Sequence, residues 1–148
     1  MYQVSELLSV KGSMVATIAP SASVLDAACA MNERKIGSLV VVGGGGRGAE
    51  KRVVGIITER DILTRVVAME RSPSRTRVEE VMTPDPISCC PETTLEELRG
   101  VMKERRVRHV PVVEGGLLSG MVSIRDLNAA EARDLTQTIG YLKAYIAG

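Results

Sequence analysis

The chain has 148 residues, of which 45% are hydrophobic and 25% are charged, and its formal net charge is +1 at pH 7. This composition is typical of a globular protein, and a charge so close to zero gives no global attraction to nucleic acid or to an anionic membrane. Neither Phe nor Trp occurs, so the chain lacks the aromatic platforms on which single-stranded nucleic acids usually stack.

The apparent lack of targeting signals and the pattern of cysteines favour a cytoplasmic protein. Residues 1–6 lack the basic and apolar regions of a signal peptide, and apolar runs such as 39–42 are far shorter than the roughly 20 residues of a membrane span. The three cysteines, Cys29, Cys89 and Cys90, are odd in number and two are adjacent. They do not resemble a disulfide framework and are predicted to be reduced, with a redox role for Cys89 and Cys90 as the lesser alternative.

The first half of the chain predicts a short helix followed by a strand–helix–strand–strand–helix unit. Val4, Leu7 and Leu8 have the spacing of one helical face, and Lys11-Gly12-Ser13 ends that helix. Ser23 with Asp26 resembles a capping box at the start of the next helix. The elements predicted after the first helix are a strand at 15–18, a helix at 24–35, strands at 36–42 and 53–57, and a helix after Asp61.

The loop between the paired strands contains a literal match to the dinucleotide-binding pattern G-x-G-x-x-G. Its sequence is Gly43-Gly44-Gly45-Gly46-Arg47-Gly48. The dinucleotide fingerprint requires a helix to open at the last glycine, so that the helix N-terminus meets the pyrophosphate. Here a second strand follows instead, and the segment is predicted to be a hairpin loop.

The second half repeats the same order of elements. An offset of 71 residues relates Pro20 to Pro91, and an offset of 65 relates Gly55 to Gly120. Thr94 and Glu97 again resemble a capping box. One copy alone would hardly bury enough surface to be stable, so we expect the copies to pack together. We predict a first repeat at 1–70, a linker at 71–77 and a second repeat at 78–148, whose long last helix carries apolar residues beyond the repeat.

A duplicated strand-to-helix corner organises both halves. It reads Gly55-x-x-Thr58-x-x-Asp61 in the first copy and Gly120-x-x-Ser123-x-x-Asp126 in the second. The hydroxyl residue stands at the predicted N-cap and the acid in the first helical turn. Such a corner presents a hydroxyl, free backbone N–H groups and a carboxylate at one place. The alternative is that both acids only stabilise a helix N-terminus.

Together with Val110-Pro111-Val112-Val113 and the strands that end before Pro20 and Pro91, this duplicated motif resembles a tandem pair of cystathionine-β-synthase (CBS) domains, the Bateman module. The resemblance covers almost the whole chain and is greatest to bacterial proteins that consist of the pair alone. It implies an α+β fold, in which two βαββα repeats pack with pseudo-two-fold symmetry and helices flank small sheets.

The resemblance also implies a ligand, an adenine nucleotide (AMP, ADP or ATP) in the cleft between the repeats. NADH and S-adenosylmethionine are the alternatives within the family. The resemblance implies that the corner Asp accepts hydrogen bonds from the ribose hydroxyls and that the Thr or Ser faces the phosphate at the helix N-terminus. It also implies that backbone groups of the first strand of each repeat recognise the edge of the adenine. The residues assigned these roles are Asp61, Asp126, Thr58, Ser123, Thr17, Ile18, Ile87 and Ser88.

The two sites are predicted to be unequal. Arg108 and His109 stand just before Pro111 in the second copy, where the family often places phosphate-contacting residues. The matching residues of the first copy, Gly37 and Ser38, carry no charge. We therefore expect the site with Asp126 to be the stronger one, and the site with Asp61 to be weaker, unoccupied or specific for a different ligand.

Among three classes of function, the sequence favours one. The favoured one is a regulatory nucleotide sensor that forms a homodimer and acts on an unidentified partner protein, without nucleic acid or membrane. An enzyme is disfavoured, because the sequence shows no nucleophile–base pair, metal set or acid pair. His109 is the only histidine, so it has no partner for metal binding or catalysis. The third class is a structural dimerisation module with vestigial sites.

Overall fold

The computed structural model describes residues 2–43 and 52–147. The glycine-rich loop, for which a hairpin turn is predicted, lies almost wholly outside these residues. The first half comprises α1 (Val4–Lys11), β1 (Thr17–Ile18), α2 (Val24–Arg34), β2 (Ser38–Val42), β3 (Val53–Thr58) and α3 (Glu59–Ile62), which continues as a π-helical turn at Leu63–Val67.

The second half begins after a 3₁₀ turn at Pro73–Arg75. Its elements are α4 (Val78–Val81), β4 (Thr83–Pro84), α5 (Leu95–Arg105), β5 (His109–Glu114), β6 (Leu117–Ser123) and α6 (Ile124–Ala147). The chain is thus an α+β protein built of two similar halves, as predicted. None of the helices within the described residues is both long and apolar enough to cross a membrane.

The first sheet has four strands in the order β1-β2-β3-β4, in which β1 and β2 pair in parallel and the other two neighbouring pairs are antiparallel. Strand β2 is buried along its whole length, in agreement with its continuous apolar run. Strand β4 was not predicted, because a two-residue strand that contains a proline has no sequence signal of its own.

The second sheet is the antiparallel pair β5–β6. The strand predicted before Pro91 is reduced there to a single parallel bridge between Cys89 and Val112. The Cys89 N–H donates to the carbonyl of Pro111 at 3.0 Å, and the Val113 N–H donates to the carbonyl of Cys89 at 2.8 Å. This segment therefore occupies the place that β1 has in the first half, but only one of its residues pairs with the neighbouring strand.

Each half receives a helix from the other into its hydrophobic core. Val78 and Val81 of α4 are buried with the residues of α2, β2 and β3. Val4 and Leu7 of α1 are buried with residues of α5, β5 and β6. Because each core depends on a helix from the other half, the two copies are interlocked rather than merely side by side.

The caps of the helices differ partly from the predicted ones. The hydroxyl oxygens of Ser23 and Thr94 accept from the N–H groups of Asp26 and Glu97. The return bond of a capping box is not formed at either helix. It is formed instead at the duplicated corners, which bears directly on the candidate site.

Candidate functional site

Both corners form reciprocal capping boxes. In the first copy, the Thr58 hydroxyl accepts from the Asp61 N–H at 3.1 Å, and the Asp61 carboxylate accepts from the Thr58 N–H at 3.0 Å. In the second copy, the corresponding distances between Ser123 and Asp126 are 3.2 and 2.8 Å. Each box uses oxygen Oδ2 of the carboxylate. Helix capping therefore accounts for one oxygen of each acid, and the other oxygen distinguishes the two copies.

In the first copy the second carboxylate oxygen is turned into the protein. Asp61 is only 7% exposed. Its Oδ1 accepts from the Thr83 hydroxyl at 3.3 Å, and it lies 3.8 Å from the Arg65 guanidinium. Arg65 also donates to the main-chain carbonyls of Val81 and Met82. Both oxygens of Asp61 are thus taken by the protein itself.

In the second copy the carboxylate is more open. The Asp126 side chain is 22% exposed, and the Lys11 ammonium lies 2.6 Å from its Oδ2. Among the described residues, no donor reaches Oδ1. Burial disfavours the charged form, but the hydrogen bonds from Lys11 and Ser123 outweigh it and hold the pKa of Asp126 below its ordinary value. Asp126 is therefore an ionised acceptor with one oxygen available.

The opening glycine of each motif allows a neighbouring element to approach closely. A Cβ atom on Gly55 would lie 2.9 Å from the carbonyl oxygen of Thr83, and one on Gly120 would lie 2.7 Å from a methyl group of Leu8. The two glycines thus allow different elements to approach, β4 in the first copy and α1 in the second. This difference accompanies the different environments of Asp61 and Asp126.

A cleft of about 1080 Å³ lies between the two halves. It brings together six of the residues predicted from the sequence, and these come from both copies: Gly37, Ser38, Arg108, His109, Ser123 and Asp126. The other predicted residues do not line it, namely Thr17, Ile18, Thr58, Asp61, Ile87, Ser88 and Pro111. The role that the resemblance gives to this second group stays a prediction.

The charge of the cleft is predominantly positive. Two carboxylates, Glu59 and Asp126, line it together with five basic side chains, those of Lys11, Arg34, Lys35, Arg108 and Arg125. The chain as a whole has a net charge of only +1. Positive charge is therefore concentrated at the cleft, which favours an anionic ligand.

His109 lies in this cleft in its neutral form. Burial lowers its pKa below the ordinary value, and the charges of Arg108 and Lys11 act in the same direction. The carboxylates of Glu59 and Asp126 oppose this shift without reversing it. A neutral imidazole beside an arginine can take up a proton when an anion binds.

Several residues of the cleft were missed by the sequence analysis. Lys11 was interpreted as a helix break, although a basic residue in a last helical turn is a recognised C-terminal signal. Met14, Val15 and Ala16 line the cleft, just before the predicted adenine-reading pair Thr17-Ile18. No local pattern identifies these residues, because their position depends on how the two halves pack.

Within the described residues, the thiols and the acidic side chains do not form a second candidate site. Burial raises the pKa of Cys89 to about 12, so this thiol is not a reactive thiolate at neutral pH. Cys29 and Cys90 are exposed and unpaired. In the part of the chain that the structure describes, no group of three or more His, Cys, Asp or Glu side chains could hold a metal ion.

Two interlocked α+β repeats with a polar cleft between them define a class of duplicated small-domain modules. The chain belongs to the CBS domain family, whose model matches residues 9–68 and 78–133. Among curated relatives, a mitochondrial CBS domain-containing protein of Arabidopsis thaliana, CBSX3, is 37% identical over 128 residues, which are 85% of this chain. The chain spans 61% of the length of that relative. CBS pairs are in general regulatory modules.

Solved structures show the same fold. A putative signal-transduction protein with CBS domains from Burkholderia ambifaria matches with a TM-score of 0.81 and 38% identity, over 89% of this chain and 95% of that one. The CBS domain protein PAE2072 from Pyrobaculum aerophilum, solved as a complex with AMP, matches with a TM-score of 0.71 and 28% identity. That alignment covers 84% of this chain and 88% of PAE2072.

Proposed function

We propose that this protein is a regulatory module that senses adenine nucleotides by binding AMP, ADP or ATP in the cleft between its halves. The observation that carries the proposal is the cleft itself. It combines the ionised Asp126 with Ser123 at the start of α6 and with the basic Arg108. A ribose acceptor, an anion-favouring helix N-terminus and a cation are the groups that a nucleotide requires. The AMP complex of PAE2072 supports the choice of ligand class.

Each part of the nucleotide has a suitable group in the cleft. The free oxygen of Asp126 is suited to accept a hydrogen bond from a ribose hydroxyl. The Ser123 oxygen accepts from the Asp126 N–H, which leaves the hydroxyl proton free to donate to a phosphate oxygen. Apolar side chains of Val15, Ala16 and Ile36 line the same cleft and are suited to pack against an adenine ring.

The closed environment of Asp61 supports one dominant site rather than two. Ligand binding at Asp61 would have to replace contacts that the carboxylate already makes with Thr83 and Arg65. Asp126 has no comparable contact at Oδ1 within the described residues. We therefore assign the principal site to the second corner.

Calorimetric titration of AMP, ATP, NADH and S-adenosylmethionine into the purified protein tests the proposal. We expect an adenine nucleotide to bind with a stoichiometry near one per chain. If only NADH or S-adenosylmethionine binds, the cleft remains the proposed binding site, but its ligand is not AMP, ADP or ATP. If none binds at millimolar concentration, the structural dimerisation module with vestigial sites takes the place of the sensor.

His109 predicts a pH dependence of nucleotide binding. A bound phosphate raises the pKa of His109 from its lowered value, so the complex takes up a proton. Affinity for AMP should then increase as the pH falls through the pKa of His109 in the complex, by up to about tenfold for a pKa shift of one unit. The full increase is reached only below the pKa of His109 in the free protein, which burial holds below its ordinary value, so the titration extends from about pH 8 to about pH 5. The measurement is the AMP dissociation constant across this range.

The control for this prediction is His109→Gln, which keeps a polar side chain and cannot be protonated. Any pH dependence that arises from ionisation of the AMP phosphate itself is common to both proteins. If wild type and His109→Gln show the same change in affinity with pH, His109 does not contact the phosphate.

The C-terminal part of α6 supports the further proposal of a homodimer. Leu135, Ile139, Leu142 and Ile146 are 44–82% exposed, and they follow one another at intervals of four, three and four residues. This spacing is that of the a and d positions of a coiled coil. A second copy of the same helix is therefore the partner whose apolar seam matches this one.

We expect Leu142→Glu to weaken self-association about tenfold or more, because it places two carboxylates in one apolar seam. The matched control is Ala144→Glu, which adds the same charge on the opposite face of α6. Light scattering across a concentration series measures both variants. Equal behaviour of the two would show that this seam is not the dimer contact.

A further inference from the structure

Lys11 owes its place in the cleft to a difference in length between the two copies. The segment from Leu8 to Pro20 is three residues longer than the corresponding segment from Met82 to Pro91. Accordingly α1 has eight residues, whereas α4 has four. Lys11 is the last residue of the longer helix, and α4 ends before it reaches a corresponding position.

This extra turn holds Lys11 against the second corner. Its ammonium donates to Asp126 Oδ2 at 2.6 Å and to the carbonyl oxygen of Met121 at 2.7 Å. The Lys11 side chain is 28% exposed and forms part of the cleft lining. The lysine thus lies at the carboxylate that the proposed function assigns to ribose.

The hydrogen-bonding capacity of that carboxylate is limited. Oδ2 of Asp126 already accepts from the Ser123 N–H and from Lys11, which use the two lone pairs of this oxygen. A bidentate contact, in which each ribose hydroxyl donates to its own carboxylate oxygen, uses both oxygens. While Lys11 stays in place, only Oδ1 remains for a ligand.

We propose that Lys11 is the ion-pair partner of Asp126 in the ligand-free protein and that a bound ribose displaces it. This inference rests on the proposed function, which places the ribose at Asp126. Lys11 then sets the affinity of the site by competing with the ligand for one carboxylate oxygen. It also couples occupancy of the cleft to the end of α1.

The connection to α1 follows from how that helix is held. Its N-terminal end is fixed, because the N–H groups of Val4 and Ser5 donate to the carbonyls of Thr93 and Pro91. Its C-terminal end is followed by Gly12, whose φ of +94° is a conformation that glycine adopts without strain. Release of Lys11 would therefore loosen the last turn of α1 and leave its beginning in the core of the second half.

Binding of adenosine to wild type and to Lys11→Met tests this inference. Adenosine has the ribose hydroxyls but no phosphate, so any attraction between Lys11 and a phosphate is removed from the comparison. We expect Lys11→Met to bind adenosine about two- to fivefold more tightly, the range that loss of a partly exposed competing ion pair allows. Lys103→Met, on the exposed surface of α5, is the matched control and should bind as wild type does.

Hydrogen exchange gives a second readout that a purely structural role of Lys11 would not change. Adenosine should accelerate exchange at residues 9–12 of wild type and leave residues 4–6 unchanged. Unchanged or weaker adenosine binding by Lys11→Met, or unchanged exchange at residues 9–12, overturns the inference while nucleotide binding by wild type stands. If neither wild type nor Lys11→Met binds adenosine or AMP, the proposed function falls and the inference falls with it.

Discussion

The Asp126→Ala variant is expected to bind AMP about 10- to 150-fold more weakly than the wild-type protein. A hydrogen bond to a charged group contributes about 1.5–3 kcal/mol, which corresponds to this range of affinity. The loss should be large because Asp126 is ionised, partly exposed and directed into the cleft. Calorimetric titration with AMP gives the dissociation constants of both proteins.

Two controls separate ribose binding from helix capping. Asp126→Asn keeps a side-chain oxygen for the Ser123 N–H but removes the charge, so it should lose nearly as much affinity as Asp126→Ala. Asp61→Ala removes the corresponding acid of the first copy, whose oxygens are already occupied, and should change AMP affinity by less than about threefold. Equal losses at Asp126 and Asp61 would contradict the assignment of one dominant site.

The duplicated corner could be predicted from the sequence because its signals are local. A glycine, an N-cap hydroxyl and a first-turn acid follow one another within seven residues of each copy. The structure confirms Thr58 and Ser123 as capping residues. The relation between copies was also visible, because an offset of 71 residues needs no knowledge of the fold. The pair Arg108-His109, which lines the cleft, was found in the same way.

The different environments of Asp61, which is buried, and Asp126, which is partly exposed, could not be predicted. They depend on contacts between elements far apart in the chain. Thr83 reaches Asp61 only because β4 pairs with β3, whereas Arg65 lies four residues after Asp61. Lys11 reaches Asp126 across 115 positions of sequence. A three-residue difference between the copies was visible as a shift in alignment, yet its effect on two carboxylates requires the packed structure.

The asymmetry between the copies thus begins with the length of one helix. A short α4 lets the chain turn at once into β4, and β4 covers the first corner. A longer α1 extends to Lys11, and the segment after it forms no strand with β6. In the first copy of the motif, both carboxylate oxygens of Asp61 are bonded within the protein. In the second copy, one oxygen of Asp126 is free to bind a ligand.

This division of roles predicts that Asp61→Ala lowers the free energy of unfolding by about 2–4 kcal/mol. The capping bond from the Thr58 N–H contributes about 1 kcal/mol, and the substitution leaves the partly buried Thr83 hydroxyl without its acceptor, at about 1–3 kcal/mol. Urea denaturation measures the change, and the melting temperature should fall by roughly 4–16 °C. Asp61→Asn, which keeps an acceptor for Thr58, should show a smaller loss.

Asp126→Ala is the matched comparison, since it removes the same capping bond at a more exposed position. It should lose about 1 kcal/mol of stability, with its main effect on AMP binding. The two variants are therefore expected to differ in their main effect: Asp61→Ala lowers stability, and Asp126→Ala lowers ligand affinity. If Asp61→Ala unfolds at the same urea concentration as Asp126→Ala, the buried contacts of Asp61 with Thr83 and Arg65 contribute nothing to the fold.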